Sequence, residues 1–403
     1  MRWRKQIPFA RLGIHAGLLI GSFLFAFLVV DVVAFYGFGI KHPGYKTTGF
    51  YQYNPLLGHF HAPNMKGLWY TYRDGTRYTA TTNSFGFPDS PRTLEKNTPR
   101  IALIGDSVTQ CWEMKEQDRC HQVLEDILKR TYEVLNFGVR GYGTDQTSLA
   151  FETIGVRFSP DVVVYNFCIN DIYDNANHTN KPYFILDDRC EWGIRLEGYP
   201  VEIPAPATDN LRSISSRVSR FLTDHSYSYR NIFGTVMSRL IDPIHRRLLG
   251  GKKSPPIPLD DHWELRPYKK EYNEEDQQRW ELTKRILYRL SRIVRDRGTK
   301  FLLVECIDKP SLDGYWQYKI QKTYGDLLDF EKVNRLMNEF CSQNGIPFLS
   351  LYQEAKDRNL PVNSLFHPSD TIHMNREGAL FYAECVAEQI TAEGWAALPN
   401  TIP

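Results

Sequence analysis

The chain has 403 residues and a formal net charge of +2 at pH 7, and 42% of its residues are hydrophobic. This composition is typical of a globular protein with ample material for a core, and so small a net charge gives no basis for nucleic-acid binding. Its seven cysteines include no Cys-x-x-Cys pair, so neither a zinc site nor a redox dithiol is indicated.

The first predicted element is a membrane anchor. Residues 18–38 are apolar except for Asp31 and a few small residues, and as a helix they are long enough to span about 30 Å of hydrocarbon. Four basic residues precede them: Arg2, Arg4, Lys5 and Arg11. The positive-inside rule then keeps the basic end of residues 1–40 in the cytoplasm and places the rest outside, in a periplasm or its equivalent. A cleaved signal peptide is the alternative, but its apolar core normally has only about 7 to 15 residues.

Residues 41–97 form the next predicted region, a small irregular or β-rich appendage. Tyr70–Tyr72 and Arg77–Thr81 have strand composition, and Asp74-Gly75 between them is a hairpin signal. We expect this appendage to pack on the domain that follows.

A nucleophile is predicted where that domain begins. The strand-like run Ile101–Ile104 breaks into Gly105-Asp106-Ser107. A buried strand that ends in this way holds the serine on a tight turn at the carboxyl edge of the sheet, where open α/β sheets bind their ligands. A serine is a weak nucleophile by itself and needs an imidazole to take its proton and a carboxylate to orient that imidazole.

Two further segments supply hydrogen-bond donors. The segment 136–144 contains Gly138 and Gly141, whose backbone amides are both candidates to bind an oxyanion. Asp161–Phe167 then reads as a fully buried strand that leads into Cys168–Asp171, which places Asn170 at the same sheet edge as the serine. A carboxamide there offers another donor, a contact worth about 3 to 4 kcal/mol in a well-studied protease.

An insertion is predicted at about residues 175–272. Apolar residues between 218 and 248 recur at near-helical spacing with arginines interleaved, which predicts one or two amphipathic helices. These helices are interpreted either as a cap over the core or as a lid or membrane-surface element that binds acidic groups.

The α/β pattern resumes after the insertion. The predicted elements are a helix over 274–297, a strand over 301–304, a helix over about 329–344, a strand over 347–350 and a last helix from about Asn375. Strands that alternate with helices predict a parallel sheet. Asp370 and His373 lie in the loop before the last helix, and their three-residue spacing lets the carboxylate reach the imidazole, which completes a triad with Ser107.

Four segments, around Ser107, Gly141, Asn170 and His373, occur in an order that resembles the SGNH hydrolases, also called the GDSL esterase and lipase family. The resemblance covers about residues 98–395. It implies an SGNH hydrolase domain over residues 98–397 with a flavodoxin-like three-layer α/β/α sandwich.

The resemblance also implies roles for five residues. Ser107 is then the nucleophile and gives its backbone amide to the oxyanion hole, Gly141 gives a second amide, and Asn170 gives a side-chain donor. His373 is the base and Asp370 orients it. The chain departs from the family pattern at Cys168, where the third segment usually has a glycine. The α/β-hydrolase fold is disfavoured because Ser107 lacks the second glycine of a Gly-x-Ser-x-Gly elbow.

The sequence therefore predicts a membrane-anchored, extracytoplasmic esterase that cleaves acyl esters, O-acetyl esters in particular, without a metal or an organic cofactor. An O-acetyltransferase acting on a cell-surface polysaccharide uses the same acyl-enzyme and is the alternative. A non-catalytic envelope scaffold that binds glycan is the second alternative. Cys111 and Cys120 could pair in an oxidising compartment, but sequence alone leaves the pairing open.

Overall fold

The structure is a computed structural model that describes residues 44–45, 49–71, 77–202, 257–367 and 370–396, together with scattered residues between His15 and Val29. The chain divides into two compact units. The first comprises residues 1–45, 70–77 and 206–255, and the second comprises residues 46–69, 78–205 and 256–403.

Few residues of the first unit are described. The scattered residues between His15 and Val29 are helical, and Gly44–Tyr45 pairs antiparallel with Tyr70 and Thr71. Within the part of the chain that the structure describes, no helix is both long and apolar enough to cross a bilayer. Most of the predicted anchor over residues 18–38 lies outside the described residues.

The strands are, in chain order, β1 (Gly44–Tyr45), β2 (Tyr51–Asn54), β3 (Gly58–His61), β4 (Lys66–Thr71), β5 (Arg77–Thr81), β6 (Arg100–Gly105), β7 (Glu133–Gly138), β8 (Val162–Phe167), β9 (Tyr183–Leu186), β10 (Ile194–Glu197), β11 (Lys300–Glu305) and β12 (Phe348–Ser350). The helices are α1 (Ser107–Gln110), α2 (Cys120–Ile127), α3 (Thr144–Thr153), α4 (Asp171–Asp174), α5 (Glu274–Arg295), α6 (Lys309–Leu312), α7 (Gly314–Tyr324), α8 (Lys332–Gln343), α9 (Leu351–Asp357) and α10 (Arg376–Ala392).

A five-stranded parallel sheet forms the centre of the second unit. Its strand order is β12-β11-β8-β6-β7, so the chain reverses direction across the sheet between β6 and β8. This is the doubly wound order of flavodoxin-like folds, in which ligands bind beside the carboxyl ends of the strands at the point of reversal. The predicted α/β fold with a parallel sheet is confirmed, and the site is expected at the ends of β6 and β8.

The central strands are buried on both faces, which is why they read as continuous apolar runs. In β6, Ala102 and Ile104 face one hydrophobic core, whereas Ile101 and Leu103 face a second core on the other side. Helix α5 packs into the first core and helices α2 and α10 into the second. The result is three layers, with helices on both faces of the sheet.

Helix α5 shows how sequence sets one of these layers. The Asn273 side chain accepts a hydrogen bond from the backbone N–H of Asp276, and the Asp276 side chain accepts one from the backbone N–H of Asn273. This reciprocal pair is a capping box at the start of the helix. Trp280, Leu287 and Val294 follow at helical spacing and are buried. The helix ends at Arg295, two residues before the predicted boundary.

The predicted insertion over 175–272 is only partly described. Its first part contains an antiparallel hairpin of β9 and β10, which the sequence analysis did not predict. Short 3-10 turns at Leu259–Asp261 and Arg266–Tyr268 end it. The predicted amphipathic helices between 218 and 248 lie outside the described residues, as does the predicted Asp74-Gly75 turn between β4 and β5.

Candidate active site

Ser107 lies where the central strand β6 passes into α1. Gly105 ends the strand with a φ of +157°, and a Cβ there would lie 2.3 Å from Thr109 Oγ1. Any larger residue at this position would force Thr109 or Asn166 to move, so the turn requires glycine. The Asp106 side chain accepts the backbone N–H of Val108 at 2.9 Å and caps α1, which fixes Ser107 as the first helical residue.

The structure brings the three predicted triad side chains together. His373 Nε2 lies 2.9 Å from Ser107 Oγ, and His373 Nδ1 lies 2.8 Å from Asp370 Oδ2. The other carboxylate oxygen, Asp370 Oδ1, accepts the backbone N–H groups of Ile372 at 3.0 Å and His373 at 2.9 Å. The aspartate thus shapes the turn that carries the histidine and also orients its ring.

The carboxylates around His373 favour the protonated form of its imidazole. Burial by itself would lower the pKa of His373, but the carboxylates of Glu113 and Asp370 raise it to about 9. Burial would raise the pKa of Asp370, but the hydrogen bond and the charge of His373 bring it below its usual range. The ion pair is therefore stabilised, as needed by a base that becomes an imidazolium when it takes the serine proton.

Backbone amides near Ser107 are available to an oxyanion. Among the described residues, the amides of Ser107 and Gly141 have no hydrogen-bond acceptor. The amide of Gly138, the other candidate, donates to Asn136 Oδ1 at 2.9 Å. Gly141 adopts a φ of +78°, a left-handed backbone that favours glycine. The geometry thus favours Gly141 over Gly138 as a donor.

Asn170 lies beside the nucleophile turn, but its amide hydrogens point elsewhere. Asn170 Nδ2 donates to Asp106 Oδ2 and to Asp174 Oδ2, both at 2.9 Å. Cys168, which stands where the family pattern has glycine, is buried and has a negative φ, so a side chain is accommodated there without backbone strain. The departure at Cys168 therefore leaves Asn170 in place.

An ion pair that sequence reasoning missed lies next to the triad. Arg140 Nη1 donates to Glu113 Oε1 at 3.0 Å, and Trp69 Nε1 lies 3.4 Å from the same oxygen. Glu113 is buried, and its charge is the largest influence that raises the pKa of His373. The only sequence signal for this pair was proximity, since Glu113 follows Ser107 by six residues and Arg140 directly precedes Gly141.

The β2–β3 hairpin supports the loop that carries Gly141. Tyr142 Oη donates to the backbone carbonyl of His59 at 2.5 Å, and His59 Nε2 lies 3.2 Å from the carbonyl oxygen of Arg140. His61 Nε2 lies 2.7 Å from Gln110 Nε2 at the end of α1. The hairpin thus contacts both the Gly141 loop and the nucleophile helix.

We expect Glu113→Gln to lower the pKa of His373 below its value of about 9. The substitution removes a negative charge that raises the pKa of His373 and leaves the positive charge of Arg140, which lowers it. The measurement is an NMR titration of the His373 ring in the Ser107→Ala background. Glu116→Gln, at an exposed carboxylate in the following turn, is the matched control and should leave the titration unchanged. An unchanged or higher pKa in Glu113→Gln would contradict the assignment.

Within the described ranges, no group of three or more His, Cys, Asp or Glu side chains could hold a metal ion. Cys111 and Cys120, whose pairing the sequence left open, are both free thiols, and their Sγ atoms are 3.1 Å apart.

Residues 103–380, more than half of the chain, match the family described as GDSL-like Lipase/Acylhydrolase. No match is found among curated protein sequences.

Three solved structures are similar to this chain over most of their own length. A GDSL-like lipase from Bacteroides thetaiotaomicron is 12% identical, with 73% of this chain and 88% of that chain covered and a TM-score of 0.34. An acetyl xylan esterase is 13% identical, with coverages of 73% and 98% and a TM-score of 0.36. A carbohydrate acetylesterase from Sinorhizobium meliloti is 12% identical, with coverages of 73% and 100% and a TM-score of 0.35.

Proposed function

Because this chain belongs to the GDSL-like lipase/acylhydrolase family of ester hydrolases, we propose that it is a serine esterase that cleaves acyl esters through an acyl-enzyme on Ser107. One observation carries the proposal: the continuous hydrogen-bonded chain from Ser107 Oγ through the His373 ring to Asp370, with contacts of 2.9 and 2.8 Å. A serine with a histidine in reach, and a carboxylate that orients the histidine, is the arrangement that activates a hydroxyl as a nucleophile.

The reaction proceeds in two halves. His373 Nε2 takes the proton of Ser107 Oγ as this oxygen attacks the ester carbonyl, and the same proton then passes to the leaving alcohol. The acyl group remains on Ser107. Water enters, and His373 takes one of its protons as the water oxygen attacks the acyl carbonyl. His373 then returns that proton to Ser107 Oγ as the acyl–oxygen bond breaks, which releases the carboxylic acid and restores the serine.

Negative charge develops on the carbonyl oxygen in both halves. The amides of Ser107 and Gly141 are the backbone donors for this charge, and Asn170 is the side-chain donor. The two backbone donors are fixed in advance and stabilise the tetrahedral intermediate without reorganisation cost, and one such donor contributes about 3 to 4 kcal/mol.

The proposed substrate is a short acyl ester, O-acetyl in particular, carried by an envelope glycan. What supports a short acyl group is burial: Ser107 is 6% exposed and His373 is 7% exposed. A nucleophile so enclosed accepts a small acyl group more readily than a long chain.

The proposed location is the outer face of a membrane, with the cytoplasmic N-terminus followed by an anchor over residues 18–38. Its support is the sequence pattern of an apolar stretch behind four basic residues. An alkaline phosphatase fused after residue 45 should be active in cells if the chain beyond the anchor is exported, and a cytoplasmic, inactive reporter would overturn the proposed topology.

The function is tested with an O-acetylated polysaccharide and the full chain, by following free acetate and the acetyl content of an added, deacetylated glycan. Free acetate that depends on Ser107 supports the esterase. Acetyl groups that move to the added glycan without free acetate would replace it with an O-acetyltransferase. Glycan binding without either product would favour the scaffold.

A further inference from the structure

The Asn170 carboxamide is held between two carboxylates. Its Nδ2 atom lies 2.9 Å from Asp106 Oδ2 and 2.9 Å from Asp174 Oδ2. An amide nitrogen carries two hydrogens and has no further donor capacity. The reversed orientation would place the amide oxygen against both carboxylates, which repel it. Both N–H groups of Asn170 are therefore committed in the described structure.

This commitment conflicts with the role that the proposed function gives to Asn170, and the inference rests on that function. An oxyanion on the substrate needs one of the two N–H groups, so one carboxylate has to give up its hydrogen bond. The Asn170 carbonyl oxygen, which cannot donate, is buried and has no hydrogen-bond partner among the described residues.

The two carboxylates are not equally replaceable. Asp106 is 1% exposed and also accepts the backbone N–H of Val108, so its position is tied to the start of the nucleophile helix. Asp174 is the last residue of the four-residue helix α4 and reaches back one turn to Asn170. Of the two, Asp174 can release the amide without disturbing Ser107.

The charges around Asp174 do not neutralise its carboxylate. Lys181, a cation whose charge acts on Asp174, directs its Nζ atom to the backbone carbonyl of Asp174 at 2.6 Å and forms its ion pair with Asp145 at 2.8 Å. Burial, together with the charge of Asp106, raises the pKa of Asp174 to about 6. The carboxylate is therefore ionised at neutral pH and a strong acceptor.

We infer that Asp174 is a positioning residue that competes with the substrate oxyanion for an N–H of Asn170. In the resting site the side-chain donor is turned to Asp174. When the tetrahedral intermediate forms, that hydrogen bond passes from the Asp174 carboxylate to the new negative charge. In the resting site Asp174 thus occupies an N–H of Asn170, one of the three oxyanion donors.

The test compares Asp174→Asn with the unmodified full chain, using p-nitrophenyl acetate at pH 8. The substituted amide oxygen can still accept from Asn170 but carries no charge, so the N–H is released more easily. The expected result is a rise in kcat of about fivefold with KM unchanged, since charged acceptors hold a hydrogen bond more strongly than neutral ones. The same substitution in an Asn170→Ala background should give no rise.

A fall in the kcat of Asp174→Asn, or no change, would overturn the inference. An equal rise when Asp174→Asn is made in the Asn170→Ala background would also overturn it, because the effect would then not act through Asn170. Thermal unfolding of each variant reports its folded fraction, and Asp174→Ser replaces Asp174→Asn if the latter does not fold. If the unmodified chain released no nitrophenol, the proposed function would fail and this inference with it. If release depends on Ser107, the Asp174 comparison alone decides the inference.

Discussion

Ser107→Ala is expected to lower kcat for p-nitrophenyl acetate by a factor on the order of 10⁶, as when the triad serine of a serine protease is removed. The substitution deletes the oxygen that lies 2.9 Å from His373 Nε2 and leaves the strand, the turn and the helix cap unchanged. The measurement is nitrophenol release by the purified full chain under steady-state conditions.

Ser342→Ala is the matched control for this change because Ser342 is an exposed serine on helix α8, remote from the triad. We expect it to retain full activity. A Ser107→Ala variant with more than about a tenth of the normal activity would mean that another group carries the acyl transfer.

Asp370→Asn is expected to reduce kcat by about 10⁴-fold, as when the triad aspartate of a serine protease is replaced in this way. The asparagine oxygen can keep the backbone contacts that Asp370 Oδ1 makes with Ile372 and His373. Its amide nitrogen would face His373 Nδ1 and favour the tautomer that puts a proton on Nε2, where the serine proton has to arrive.

The pH dependence separates this loss from unfolding. With the carboxylate gone, the pKa of His373 falls from its value of about 9, so the acidic limb of the remaining activity should move to lower pH. Asp357→Asn, at an exposed site at the end of α9, should leave both kcat and the pH profile unchanged. An Asp370→Asn variant with normal kcat would show that the carboxylate does not orient the base.

The parts of the fold that could be predicted from the sequence depend on local patterns. Strand β6 is apolar at every position between Arg100 and Gly105 because both of its faces are buried. Asp370 and His373 could be paired because they lie three positions apart in one loop. The family resemblance drawn from four segments is confirmed by the match over residues 103–380.

The parts that escaped prediction depend on contacts between distant segments. The contact of Asn170 with Asp106 was not readable, since Asp106 lies 64 residues away in sequence. The Glu113–Arg140 pair joins two loops 27 residues apart, and nothing in either segment marks it as an ion pair. The family resemblance had already favoured Gly141 over Gly138, and the contact of the Gly138 amide with Asn136 adds a structural reason for that choice.

The most direct single test is covalent labelling of the folded full chain with a fluorophosphonate, a reagent that reacts with activated serines, followed by peptide mapping with mass spectrometry. We predict one phosphonyl adduct, on Ser107, and no adduct in the Ser107→Ala variant or in protein unfolded before labelling. Ester hydrolysis by a chain whose Ser107 remains unlabelled, or an adduct on another serine that abolishes activity, would contradict the assignment of Ser107 as the nucleophile.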